Sequence, residues 1–94
     1  MISIVLAIQI ASAPSAPPAL LAEWNSCVLD YAQVEGAGKD SDVTVALRGL
    51  DLCEPQKQRY VRALPSNVQG DQVDQEQRTI SLRVIAFLRR MRGS

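Results

Sequence analysis

The stretch EWNSCVLDYA (residues 23–32) holds the only tryptophan and the first of the two cysteines in this sequence of 94 residues. Its larger apolar side chains recur at steps of one, three or four residues, at Trp24, Cys27, Val28 and Tyr31. This is the spacing of one helical face, and it predicts a first helix over residues 19–35. Gly36 and Gly38 are expected to end that helix, because glycine favours helix termini and turns.

A second helix is predicted to begin after Ser41, whose hydroxyl suits an N-cap position. It carries an apolar stripe at helical spacing, formed by Val43, Ala46, Leu47, Leu50 and Cys53. Gly49 weakens the helix and allows another backbone to approach it closely. The helix is expected to end near Cys53, and Pro55 then opens a short further helix over residues 55–64. One kinked helix continuing through Pro55 is the alternative.

The polar stretch at residues 65–77 is predicted to be a mobile linker, because it carries turn-forming residues and few apolar side chains. Asp74 and Gln77 form a capping-box pattern, so the last helix is expected to start at about residue 75. The predicted apolar face of this helix consists of Ile80, Val84, Phe87, Leu88 and Met91. Leu82 and Ile85 lie off that face.

Together these patterns predict an all-α fold, a helical hairpin or three-helix domain over residues 19–92. The segment TISLRV at residues 79–84 also alternates between polar and apolar side chains and is rich in β-branched residues, as strands are. A small α+β fold with residues 79–85 as a strand is therefore the alternative. A chain of this length buries a modest core and usually needs additional stabilisation.

The amino-terminal stretch has the layout of an export signal. No charged side chain precedes Glu23, and an apolar run at residues 2–10 is followed by ASAPSAPPA at residues 11–19. The run is shorter than the about 20 apolar residues of a membrane-spanning helix. We therefore predict that residues 1–16 are a signal peptide and that the protein is periplasmic or secreted. Retention as a membrane anchor formed by residues 2–22 is the alternative.

Cys27 and Cys53 are the only cysteines, an even number in a chain with an export signal. Each lies on the apolar face of its predicted helix, and the two meet if the second half of the second helix passes beside Cys27. We predict a disulfide between them, worth about 3.5 kcal/mol in the chain-entropy model. Reduced core cysteines in a cytosolic protein, or an intermolecular or reactive thiol, are the alternatives. Trp24 is expected to pack over the bridge.

Charge is unevenly distributed, although the net charge is zero. Residues 1–54 hold seven acids and two bases, and residues 55–94 hold eight bases and three acids, so the halves carry −5 and +5. Either the acidic half docks on the basic half within one domain, or the basic end meets an anionic partner. The candidate contacts for a partner protein or an anionic lipid surface are four arginines of the last helix: Arg83, Arg89, Arg90 and Arg92.

The sequence contains no histidine, the commonest general base and metal ligand. We therefore predict no enzymatic activity and no cofactor. We also predict no metal site, because two cysteines alone cannot supply the four ligands of zinc. The predicted function is that of a non-enzymatic exported module that binds a partner or supports the envelope. One alternative is a membrane-surface protein that uses the basic amphipathic last helix. Another is a cytosolic nucleic-acid binder, against which the zero net charge argues. A homodimer through residues 80–91 is a further hypothesis.

One combination of motifs runs through most of the chain: W-x-x-C-V, then A-L before a second cysteine, then an arginine-rich helix. It resembles small uncharacterised exported proteins of alphaproteobacteria that carry one cysteine pair in a helical hairpin. The matching residues are Trp24, Cys27, Val28, Ala46, Leu47, Cys53 and AFLRR at 86–90. The resemblance covers about residues 20–92. It implies an exported helical fold and carries no activity with it.

Overall fold

A computed structural model of the chain describes residues 16–93. They form four helices: α1 (Pro17–Glu35), α2 (Asp42–Leu52), α3 (Glu54–Ala63) and α4 (Gln69–Gly93). The central element is α1, which contacts the other three, while α2 also packs on α4. Residues 16–93 contain no strand, so the all-α prediction is confirmed and residues 79–85 are helical. The predicted signal segment lies outside the described residues, apart from Ala16.

The predicted apolar face of α1 is confirmed. Trp24, Val28 and Ala32 are fully buried, and this face also places Leu20, Cys27 and Tyr31 against the core. Pro17 lies in the first turn of α1, where a missing N–H removes no intrahelical bond. This helix supplies the surface on which α2, α3 and α4 assemble.

The residue that ends α1 also sets how closely α4 approaches it. The N–H of Gly36 donates to the Ala32 carbonyl at 2.7 Å. A Cβ at position 36 would lie 2.7 Å from Leu88 Cδ2 and would overlap Met91 Cε. The φ angle of Gly36 is −64°, which any residue adopts. Glycine is therefore needed here for space rather than for backbone conformation.

The apolar stripe predicted for α2 is only partly buried, and the prediction is wrong for two of its residues. Val43 and Leu47 are 53% and 59% exposed. The buried residues of this helix are Val45, Ala46, Gly49 and Leu50. The cause is a close helix crossing, because a Cβ at Gly49 would lie 3.0 Å from Val28 Cγ1 of α1. The face of α2 that includes Gly49 therefore lies on α1, and Val43 and Leu47 turn toward solvent.

The break between the second and third helices lies where it was predicted. Ser41 caps α2, since its Oγ accepts from the N–H of Thr44 at 3.1 Å. The helix ends at Leu52, and Cys53 is the only residue between it and α3. Pro55 lies in the first turn of α3, where proline is tolerated. The chain therefore turns at Cys53, and the alternative of one kinked helix does not apply.

The predicted linker at residues 65–77 is wrong over most of its length, because α4 begins at Gln69. The side-chain Nε2 of Gln69 donates to the carbonyls of Val61 and Leu64, at 3.0 and 3.1 Å. These two bonds attach the start of α4 to the end of α3. One turn later Val73 is only 7% exposed. Tertiary contacts therefore order a stretch whose composition alone favours a loop.

The predicted apolar face of α4 is confirmed where it meets the core. Ile80, Val84 and Leu88 are at most 1% exposed, and Phe87 packs beside them. Met91 is 43% exposed and Leu82 is 68% exposed. Asp74, predicted to cap this helix, lies inside it.

Candidate functional site

The two cysteines form the predicted disulfide. Cys27 of α1 is bonded to Cys53, with their Cα atoms 6.0 Å apart. α2 crosses α1 at Gly49, one turn before Cys53. The second half of α2 therefore lies beside Cys27, as predicted. Because Cys53 is the only residue between α2 and α3, the bond fastens that corner to the middle of α1. Such a bond indicates an oxidising environment of the extracellular type.

Trp24 belongs to the same buried cluster as Cys53. The Trp24 ring is tilted on Tyr60 of α3, with centroids 5.9 Å apart, and the side chain is 0% exposed. Its indole N–H is buried without a hydrogen-bond partner among the described residues. A ring enclosed in this way packs the interface between α1 and α3, and its faces are not open to a ligand.

An open groove of about 530 Å³ lies beside the disulfide, between α1 and α3. It is lined by Ala19, Ala22, Glu23, Ser26, Cys27, Asp30, Gln56 and Arg59. Cys27 is partly exposed, whereas Cys53 is 1% exposed. Glu23 Oε1 and Arg59 Nη2 lie 3.4 Å apart at the groove. No local sequence pattern marks this groove, because it arises only when α3 packs along α1.

Arg92, one of the four candidate arginines for a partner contact, forms its hydrogen bonds within the chain. Its Nε donates to the Gly36 carbonyl at 2.8 Å, and its Nη2 to the Gly38 carbonyl at 3.3 Å. Its Nη1 lies 2.7 Å from Asp42 Oδ1, and both of these side chains are 24% exposed. Arg92 thereby joins the end of α4 to the turn between α1 and α2. We call this set of bonds the Arg92 clamp.

The other three arginines also have contacts within the chain. Arg83 Nη1 donates to Asn25 Oδ1 of α1 at 3.0 Å. Arg89 Nε lies 3.7 Å from Asp42 Oδ2 and remains 76% exposed. Arg90 is exposed and likewise interacts within the chain. The structure thus places the four residues along the second half of α4 without joining them into one free basic surface.

Within residues 16–93, ion pairs join the acidic half of the sequence to the basic half. Among them are Arg59–Glu23, Arg89–Asp42 and Arg92–Asp42. The hypothesis that the acidic half docks on the basic half is confirmed at these contacts. Arg59–Glu23 is exposed on both sides and Arg89 is 76% exposed, so each of these two pairs contributes up to about 1 kcal/mol. Arg92–Asp42, with both side chains 24% exposed, belongs to the Arg92 clamp.

The segment predicted to form a homodimer, residues 80–91, uses most of its apolar surface inside the monomer. Ile80, Val84 and Leu88 are buried there. Leu82 and Met91 are its exposed large apolar side chains. A dimer through this segment would have to be built on those two residues, and it stays a prediction.

A second open groove of about 530 Å³ lies at the opposite end of α1, next to the Arg92 clamp. Within residues 16–93, no three acidic or cysteine side chains are grouped so that they could hold a metal ion. In the same range, no helix is both long and apolar enough to span a bilayer.

No family model, curated protein or solved structure matches this chain. The resemblance to exported alphaproteobacterial proteins therefore stays a prediction. The candidate site consists of the disulfide and the groove beside it.

Proposed function

We propose that the protein is a small non-enzymatic module, exported to the periplasm or secreted, that binds a partner or supports the envelope. The Cys27–Cys53 disulfide carries this proposal, because it uses both cysteines and such bonds persist outside the reducing cytosol. The apolar run at residues 2–10, followed by small residues and prolines, supports the same route.

A binding or structural role is supported by how the chain uses its polar groups. The fully buried side chains of residues 16–93 are apolar or cysteine. Arg83 and Arg92, which could meet a ligand, instead hold helices together. The sequence also lacks histidine, so proton transfer near neutral pH would need another group. These features favour a binding or structural role over an enzymatic one.

Fractionation of cells that express the full chain, with amino-terminal sequencing of the product, tests the export proposal. We expect a product cut between residues 11 and 16 in the exported fraction. Protein purified without reductant should have the intact mass of the disulfide form. A double variant, Cys27→Ser with Cys53→Ser, serves as the control and should reach the same fraction. An uncut protein in the cytosol with two free thiols would refute the proposal.

The membrane-surface alternative is supported by the exposed Leu82 and the basic side chains beside it. Against it, the apolar face of α4 is taken up by the core of the protein, at Ile80, Val84 and Leu88. A surface-lying helix needs such a face free for lipid. In flotation with vesicles at low salt, we expect the folded protein to stay unbound whether or not anionic lipid is present. Binding that requires anionic lipid would favour this alternative over a partner protein.

The nucleic-acid alternative has less support. Domains that bind nucleic acids are usually distinctly basic, whereas this chain carries ten bases and ten acids. Arg92 also pairs with Asp42 inside the fold. A gel-shift experiment with duplex and single-stranded DNA at low salt should show no retarded band.

A further inference from the structure

We propose that the groove beside the disulfide is the docking site of a dithiol oxidoreductase, which exchanges the bond through Cys27 and not through Cys53. The two cysteines differ in access: Cys27 lines the open groove, and Cys53 is 1% exposed. The proposal concerns the folded protein and its bond, so it does not depend on which partner the exported module binds.

The direction of attack follows from this difference. A thiolate displaces one sulfur of a disulfide by approaching the other, and the rate depends on which sulfur is accessible. The groove opens a path to Cys27, and attack there expels Cys53. The packed residues around Cys53 block the equivalent path to its own sulfur.

Cys53 lies between two helix ends that act on it in opposite directions. It ends α2 and directly precedes α3, so the negative end of one helix dipole and the positive end of the other both lie beside it. The dipoles therefore do not decide which sulfur leaves. The direction of exchange follows from the access of the attacking thiol to Cys27.

The exchange balances with a dithiol as the reductant. The first thiolate of the partner forms a bond to Cys27 Sγ, the Cys27–Cys53 bond breaks, and Cys53 leaves as a thiolate that takes up a proton. The second thiolate of the partner then attacks the partner's own sulfur in this mixed disulfide and releases Cys27 as a thiolate. Two electrons pass to the protein, which ends as a dithiol, and the partner ends as a disulfide.

Charge around the groove limits the partner further. Glu23 and Asp30 supply two negative charges, and Arg59 supplies one positive charge. The groove therefore carries a net negative charge and fits a neutral or basic surface around the reactive thiol of the partner. An anionic thiol should be disfavoured for the same reason.

Mapping the first adduct tests the proposal with a simple probe. The oxidised full chain is mixed with 2-mercaptoethanol in native buffer, quenched with acid and digested for peptide mass mapping. We expect the mixed disulfide on Cys27 in large excess, with Cys53 as the free thiol. We also expect a rate that low urea does not change. An adduct shared equally by both cysteines, or a rate that rises in parallel with unfolding, would overturn the proposal.

Two matched variants test the groove itself. Ala22→Phe adds bulk at an exposed position in the groove and should slow the exchange several-fold. Ala86→Phe adds the same bulk at an exposed position of α4 outside the groove and should leave the rate unchanged. Equal rates in both folded variants would contradict a docking role. If Ala22→Phe fails to fold, the adduct map of the wild-type protein still decides.

A charge variant tests the partner chemistry. Asp30→Asn removes one negative charge from the groove. It should speed the reaction of 3-mercaptopropionate, an anionic thiol, more than that of 2-mercaptoethanol, which is neutral. Comparing each thiol with itself across the two proteins removes the difference in intrinsic reactivity. Equal effects on the two thiols would refute the charge preference.

Discussion

Gly36 and Gly49 are the two positions at which a missing side chain decides how closely helices approach. At Gly49, a Cβ would meet the Val28 side chain at 3.0 Å, and a small shift could relieve that contact. At Gly36, a Cβ would meet the side chains of Leu88 and Met91 together with the Ala32 carbonyl at 2.6 Å. The Met91 side chain can turn away, but the Ala32 carbonyl is backbone and Leu88 is fully buried, so relief there requires the interface between α1 and α4 to shift.

Gly36→Ala should therefore lower the free energy of unfolding by about 2 kcal/mol, which is typical of an overpacked interior. Urea denaturation followed by circular dichroism measures it. Gly70→Ala is the matched control, because a Cβ there has no neighbour within 4 Å. This control should be neutral or up to about 1 kcal/mol more stable, since alanine favours a helix over glycine. A Gly36→Ala variant as stable as its control would contradict the packing argument.

A conservative change at Arg92 should weaken the Arg92 clamp. Lysine cannot reproduce the fork that reaches Asp42 and two carbonyls at once, so Arg92→Lys should destabilise the protein by about 1–2 kcal/mol. Arg89→Lys is the control, because Arg89 is 76% exposed and lies 3.7 Å from Asp42. Its effect should stay within about 0.5 kcal/mol. Equal urea midpoints for the two variants would show that the clamp adds no stability.

At the scale of elements, the sequence predicted the existence of the helices better than their orientation. α1 was predicted correctly because Trp24 and Val28 leave one choice for its buried face. The bounds of α2 are also as predicted, but its buried face is only partly so, because Ala46 and Leu50 fit a stripe that extends toward Leu47 as well as one that extends toward Gly49. The crossing with α1 decides between these stripes, and that contact is not a property of the α2 sequence.

The candidate site, too, is only partly predictable from the sequence. The disulfide could be predicted, because the number of cysteines and their places on apolar faces are local facts. The groove could not, since it depends on the packing of Tyr60 against Trp24, which lays α3 along α1. For Arg92 the sequence left two possibilities, a partner contact or a pair with the acidic half, because nothing local shows that the turn before Asp42 lies beside the end of α4.

Whether the first turns of α4 belong to the folded core can be tested by substitution. Val73 is 7% exposed, within the stretch whose composition predicted a linker. Val73→Ala should cost about 1–2 kcal/mol of stability, as the loss of buried methyl groups does. Val68→Ala, at a position that is 38% exposed just before α4, should change stability by less than about 0.5 kcal/mol. If both variants unfold at the wild-type urea midpoint, the first turns of α4 do not contribute to the folded core.

At the scale of the whole molecule, one covalent bond limits how far α2 and α3 can separate from α1. Reduction of Cys27–Cys53, which are 26 residues apart in sequence, should lower the free energy of unfolding by about 3.5 kcal/mol through the entropy that the open loop regains. This is a large part of the about 5–15 kcal/mol that stabilises most small domains. Trp24 reports the transition, because it is 0% exposed in the folded protein and its fluorescence will change when α1 separates from α3. Urea curves with and without dithiothreitol, compared with a Cys27→Ser, Cys53→Ser double variant, should show the reduced protein and the double variant unfolding together at lower urea. A reduced protein that unfolds at the same urea concentration as the oxidised form would mean that noncovalent packing alone holds the corner at Cys53.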